Sequence, residues 1–477
     1  MRPILAIGAT GAALAAAAVL GTGSSAGSAA SATGGTASLA PIGAGAFFVV
    51  DTDQASAQWR SAGTLFGNIP GGQKTLDSAL SQLVGVKGLD VTKDVAPALG
   101  KQVLVVVPHG AKDPILLVQP GDPKKLSALL AKSKKPEVTG NVSGWTAIAI
   151  TKKALDAYKA ALAKGTLSGD AAYTRAMASV PPGAALVRGY LDGAGLPAAL
   201  GSLTSAGASI TGGITVPSSG NALKGLGTVG VAISFSAGEL RVEGSTAATS
   251  SAKTMSFAPT LLAGVPADSL VAVSFDGAGG GQSAIDQVLK QGGAQVAALQ
   301  KQLGVSLADL TTALEGEGVL YVRAGSPIPE VTLAVKPKDA ARAEKTFAAL
   351  AAKLGSSKGS ALPVKGIRLV STVSHGIVFV STAKGAAADF TGHGAKLTAS
   401  GSFRQVEKEI GFSGKTNGLG YVDVHALGPL LKTALGALGG SGSTTTGLEG
   451  LSAFGVAAFN ATSDGSRTRF AAVVTVG

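Results

Sequence analysis

The chain contains no cysteine. That excludes disulfides, thiolate metal ligands, cysteine nucleophiles and attachment through a lipidated thiol. It leaves export open, because large domains fold outside the cell without disulfides. Aromatic residues are scarce at 4% and charged residues at 14%, against 45% hydrophobic, so a disordered polyelectrolyte is excluded. With so few rings the core must be built from alanine, valine and leucine, side chains that each bury little surface. Histidine occurs only at His109, His375, His393 and His425, without the spacing of a zinc site and without an HExxH run.

What is abundant is positive charge: the formal net charge is +12. The excess is shared between the two halves of the chain and lacks interleaved aromatics, which argues against a nucleic-acid partner. The densest basic run, "AKSKKPE" from Ala131 to Glu137, follows an amphipathic stretch and reads as a solvated helix end. Contact with a lipid surface or an anionic polymer is the alternative for such a run.

The N-terminus reads as an address. One arginine precedes an apolar run from Ile4 to Leu20, and a Gly/Ala/Ser/Thr stretch follows with small residues at Ala30-Ser31-Ala32. Residues 1–32 therefore form a signal peptide or, alternatively, an N-terminal anchor that tethers the chain to a membrane, and residues 33–38 a low-complexity linker. Two patterns inside this segment are decoys. "GATGAA" lacks a surrounding βαβ unit and its last glycine, and "GSSAG" has no strand before it or helix after it.

Beyond the linker, phrases recur. "RGYLDGAGL" from Arg188 is echoed by "LGYVDVHAL" from Leu419, and "GLDVTKDVAPALGKQVLVVV" from Gly88 by "GVSLADLTTALEGEGVLYVR" from Gly304. Gly100 and Gly316 stand where a helix should stop. Asp122 before Pro123 is placed to cap a helix, and Ser306 with Asp309 resembles a capping box. Ala343, Phe347, Leu350 and Leu354 fall on one helical face. Val231, Ile233 and Phe235 alternate with smaller residues, as in a strand buried on one face. The expected fold is α+β: two tandem divergent copies of a domain with a mostly antiparallel sheet covered by helices on one face. The copies are expected at residues 39–250 and 262–477, joined by a connector at 251–261.

Three of these phrases, "GLDVTKDVAPALGKQVLVVV", "PILLVQPGDPKKLSALLAK" and "YTRAMASVPPGAALVRGYLD", resemble the bacterial domain-of-unknown-function family 3352. The resemblance covers essentially all of the chain after the leader. It implies an exported or membrane-tethered envelope protein. It brings no reaction and no functional residues with it.

The search for chemistry returns fragments. "GFSGKTNG" (Gly411 to Gly418) looks like the end of a phosphate loop, but Glu409 stands where the first glycine belongs. "DGAGGGQ" from Asp276 reads as a glycine-rich loop, and "SSAK" from Ser250 lacks its companion motifs. Asp51 and Asp276, and likewise Asp192 and Asp423, recur at equivalent places. A paired-acid glycosidase would need two such carboxyls about 5–9 Å apart, whereas capping of the following helix explains the recurrence more simply. No catalytic, metal-ligating or cofactor-binding residue is assigned. The expected function is that of an exported, non-enzymatic two-domain envelope protein with a binding or structural role at the bacterial cell surface. Its partner is an unknown envelope component, with lipid or anionic polymer the leading chemistries. The alternatives are a carrier of lipid or another hydrophobic ligand, and a cryptic hydrolase of envelope polymers.

Overall fold

Runs such as "AFFVV", "QVLVVV" and "ILLV" are apolar at consecutive positions. Because successive strand residues point to opposite faces, such a strand can be buried only if both faces are covered. This is the arrangement found in a computed structural model of the chain, which describes residues 35–68, 91–111, 113–132, 137–181, 183–193, 226–236, 238–248, 256–277, 304–325, 329–355, 369–437 and 453–477. The strands form one 16-stranded antiparallel sheet. That overturns the expectation of two tandem divergent copies of one domain. The chain divides into two compact units: residues up to Ser251 together with Ser466–Val476, and Ala252–Gly465.

In the first unit the strands are β1 (Ala46–Asp51), β2 (Gln102–Val107), β3 (Ile115–Val118), β4 (Val138–Val142), β5 (Trp145–Ala149), β6 (Val187–Asp192), β7 (Leu226–Ser236) and β8 (Glu239–Ala248). They are joined by the C-terminal strand β16 (Arg467–Val476), in the order β16-β8-β7-β6-β1-β2-β3-β5-β4. The helices are α1 (Ala57–Gly67), α2 (Ala96–Leu99), α3 (Pro123–Ala131), α4 (Lys152–Leu162) and α5 (Ala171–Met177). Phe48 on one face of β1 joins Val103, Val105, Leu116 and Ile148 under Leu99 of α2 and Leu126 and Leu129 of α3. Phe47, its neighbour, joins Leu104, Val106 and Leu117 on the other face, under Leu155 and Tyr158 of α4 and Tyr173 of α5. Helices thus cover both faces rather than one, which corrects the second part of the expected fold. Each large side chain buried this way contributes about 1.5–3 kcal/mol, so a core of small residues needs two such layers.

The second unit contains β9 (Ser269–Asp276), β10 (Gly316–Arg323), β11 (Glu330–Pro337), β12 (Val370–Ser374), β13 (Ile377–Ser381), β14 (Gly418–Asp423) and β15 (Phe454–Ser463), in the order β12-β13-β11-β10-β9-β14-β15. Its helices are α6 (Leu307–Ala313), α7 (Ala340–Gly355), α8 (Ala386–Thr391), α9 (Gly401–Glu409) and α10 (Val424–Ala437). Again adjacent residues part company. Val378 packs with Val335, Ala343 and Phe347 of α7, while Phe379 meets Phe390 of α8 edge-on, with ring centroids 5.2 Å apart.

Local chemistry sets the element ends. Asp122 accepts hydrogen bonds from the amides of Lys124 and Lys125, with Pro123 at the first helical position of α3. Ser306 accepts from the Asp309 amide and donates to its carboxylate at the start of α6. Gly100 and Gly316 adopt φ of +80° and +130°. A Cβ at Gly100 would stand 1.9 Å from the Gln119 carbonyl oxygen, so both conformation and clearance demand glycine there. The hairpins β4–β5 and β12–β13 turn on two residues, Ser143-Gly144 and His375-Gly376, all with positive φ. That is the sense of turn that matches strand twist.

All five tyrosines are buried, none more than 5% exposed. Burial raises the pKa of Tyr158, Tyr190, Tyr321 and Tyr421 above the ordinary phenol value. With folded values above the unfolded value of about 10, these groups keep their protons in the folded state while the unfolded chain loses them, so stability falls as pH rises past about 10. Alkaline titration should therefore show phenolate absorbance emerging together with the loss of far-ultraviolet circular dichroism. A smooth, separate phenol titration centred near pH 10 in an intact fold would contradict it.

Candidate functional site

Two of the four carboxylates singled out by recurrence hold backbone amides. Asp423 ends β14, and its carboxylate accepts the Ala426 amide at 2.9 Å, capping α10 as expected. Asp51 ends β1 but accepts from the Asp53 amide at 2.9 Å in a tight turn. The cap of α1 is instead Ser56, through the Trp59 amide. A turn of five residues separates strand and helix there, so the strand-end carboxylate is too far back to cap. Asp192 and Asp276 likewise end β6 and β9.

The glycine-rich and histidine motifs resolve similarly. In "GFSGKTNG" the Thr416 hydroxyl is buried, donating to the Ala461 carbonyl and accepting from the Gly418 amide. A residue bound into the sheet in this way is not part of a phosphate cradle. His109, His375, His393 and His425 are all exposed. His375 occupies a hairpin turn, its Nδ1 2.9 Å from the Ser374 hydroxyl. His425 lies in the first turn of α10, because the strand ends at Asp423. Among the described residues no three His, Asp or Glu side chains converge as metal ligands. The loops carrying "DGAGGGQ" beyond Gly277, "SSAK", "GATGAA", "GSSAG" and the lysines of "AKSKKPE" beyond Lys132 lie outside the described residues.

One cluster that no motif announced does form a site. Arg323 ends β10, Asp268 immediately precedes β9, Glu330 opens β11, and Asp389 lies in α8. Together with Pro266, Gly392 and Gly394, Asp268, Arg323 and Asp389 line a cleft of about 410 Å³ in the second unit. The guanidinium donates from Nε (3.0 Å) and Nη2 (2.9 Å) to one oxygen of Asp268, and from Nη1 to Asp389 at 2.7 Å. Glu330 stands 3.4 Å from the same Nη1. Hydrogen bonding to Asp268 leads the causes that raise the Arg323 pKa further above its ordinary value, so the group stays cationic throughout. The side chain is only 20% exposed, whereas Asp268 and Asp389 are 61% and 50% exposed.

Two neighbours complete the arrangement. Lys396 donates to the carbonyls of Asp389 and Phe390, both at 2.9 Å, near the C-terminal end of α8. A cation there is favoured by the exposed carbonyls of a helix end. Phe390 stacks on Tyr321 with centroids 6.1 Å apart. A permanently charged guanidinium shared among three carboxylates neither gives up a proton nor attacks a substrate, so the cluster's chemistry is electrostatic: it fastens α8 and the β9 entry to the end of β10. Sequence reasoning missed it because its members are far apart, 66 residues separating Arg323 from Asp389. The available signal was a lone arginine closing the apolar strand "GVLYVR".

Replacing Arg323 with Met should lower the unfolding free energy of the chain by about 1–2 kcal/mol in a urea titration. The Coulombic part is reduced because two of the three carboxylates are well solvated. Asp268→Asn should cost less than about 1 kcal/mol, because two acidic partners remain. No protein-family model, no curated protein and no solved structure matches the chain.

Proposed function

We propose that the chain is an exported, non-enzymatic protein of the bacterial cell envelope with a binding or structural role. One observation carries the reading: polar side chains in the recurring phrases and in the phosphate-loop fragment hold backbone in place. Asp423 caps a helix, Asp51 closes a turn and Thr416 ties two strands. Carboxylates and hydroxyls used in this way maintain shape and are not presented to a substrate. The 410 Å³ cleft supports the same reading, because its guanidinium and carboxylates would be poor company for an apolar tail. The N-terminal sequence, with its apolar run and small-residue stretch, supports export. The resemblance to the bacterial family of envelope proteins of unknown activity adds a cellular setting.

Expression of the full chain in a bacterial host, followed by fractionation and N-terminal sequencing, tests the proposal. The expected product lies outside the cytoplasm and begins close after Ala32, or keeps Met1 and fractionates with the membrane. A product with Met1 intact and free in the cytoplasm would overturn it.

A further inference from the structure

The first unit is not continuous in sequence: it takes β16 from beyond Gly465, after the whole of the second unit has intervened. β16 runs antiparallel along nearly the full length of β8, from Arg467 opposite Ala247 to Thr475 opposite Glu239. Buried side chains lie on both its faces, Phe470 on one and Ala471 and Val473 on the other, none more than 4% exposed. Its two ends are pinned. Arg467 donates from Nη1 to the hydroxyl of Ser179, 288 residues away and just past α5. The Val476 amide donates to the Gly238 carbonyl at 2.8 Å.

The seat for this strand is built into β8 and β7. The register sets Phe470 directly opposite Gly244. A Cβ on that glycine would stand 2.7 Å from the Phe470 ring and 2.2 Å from the Gly230 carbonyl oxygen. The bare backbone of Gly244 is therefore a socket that the ring fills, an aromatic–glycine pair across two strands. Phe470 joins the layer of Val229, Val231 and Ile233 of β7, with Leu240 and Val242 of β8 packed against it. Without β16, the outer edge of β8 would lose its hydrogen-bonding partners and the socket would open onto this layer. Such an edge pairs with any extended segment that reaches it. At ordinary rates of synthesis the intervening residues Ala252–Gly465 take roughly 10–40 s to make, so β8 waits that long for its neighbour.

We infer that residues 467–476 are a strap that closes the first unit after the second has been made. The β8 edge with its Gly244 socket is the docking surface reserved for that strap, and its occupant is this chain's own segment. Recognition rests on the ring of Phe470, on the edge of β8, and on the bonds of Arg467 and Val476 at either end. A chain broken anywhere within the second unit leaves the surface open. Only a chain carried through to Val476 presents a sealed first unit. This device goes beyond the proposed envelope role and does not depend on it.

The test starts from the folded full chain with a protease recognition sequence inserted between Gly465 and Ser466. After cutting, the two pieces are separated in urea. The larger piece is returned to buffer alone, with a synthetic peptide of residues 466–477, or with that peptide carrying Phe470→Ala. Hydrogen exchange read by mass spectrometry follows the amides of β8. In the larger piece alone they should exchange at least about ten-fold faster than in the uncut chain. The unaltered peptide should restore protection and saturate, whereas the Phe470→Ala peptide should need at least about ten-fold more. Substitutions in the uncut chain guard against a larger piece that fails to refold. There Phe470→Ala should speed β8 exchange several-fold, and Val474→Ala, on the same face of the strand, should do so far less. Full protection of β8 in the larger piece alone, equal potency of the two peptides, no protection returned by millimolar peptide, or equal effects of the two substitutions would each overturn the inference.

Discussion

Two-sided burial of the central strands is the constraint from which the rest follows. In β1, β2 and β3 nearly every side chain is apolar and buried, so neither face of the sheet can be left to water. With a sheet on which Phe47 and Phe48 look in opposite directions, helices must lie on both sides. The scarcity of aromatic residues sharpens the requirement, since alanine and valine recover little free energy apiece and one layer of them would stabilise the chain poorly. Several of the few rings sit within the layers, as in the edge-on cluster of Tyr173 with Phe47 and Tyr190.

Polar groups are placed to protect that arrangement. Helices begin on Ser56, Asp122, Thr151, Asp170, Ser306 or Ser400, each accepting an amide hydrogen bond that would otherwise go unmade. Lys396, five residues beyond α8, donates to the carbonyls at its C-terminal end, and Arg323 holds the Asp389 side chain from the end of β10. Such groups are fully occupied in holding backbone and helices, which fits a protein whose work is done by its surface.

What could be read beforehand was local. The caps at Asp122 and Ser306 were legible because donor and acceptor lie within three residues of each other. Gly100 and Gly316 were legible because the chain must reverse there, and the Ala343–Phe347–Leu350 stripe because helical periodicity exposes it. The two-sided burial was also present in the unbroken apolar runs, yet the alternation of Val231, Ile233 and Phe235 suggested a single covered face. In the structure Ala232 is buried as well. Asp51 was expected to cap the following helix, and the five-residue turn after it leaves that task to Ser56.

The amino-acid sequence by itself determined which residues are apolar, where helices start and stop, and which positions require glycine, because each of these depends on neighbours a few residues away. Tertiary structure alone decided that the strands join in one sheet of sixteen, that the last strand groups with the first unit, and that Arg323 gathers Asp268, Glu330 and Asp389. The physical reason is that strand pairing and ion clusters are contacts between distant segments. Any strand offers the same row of amides and carbonyls to either neighbour, and periodicity marks a buried face without saying what covers it.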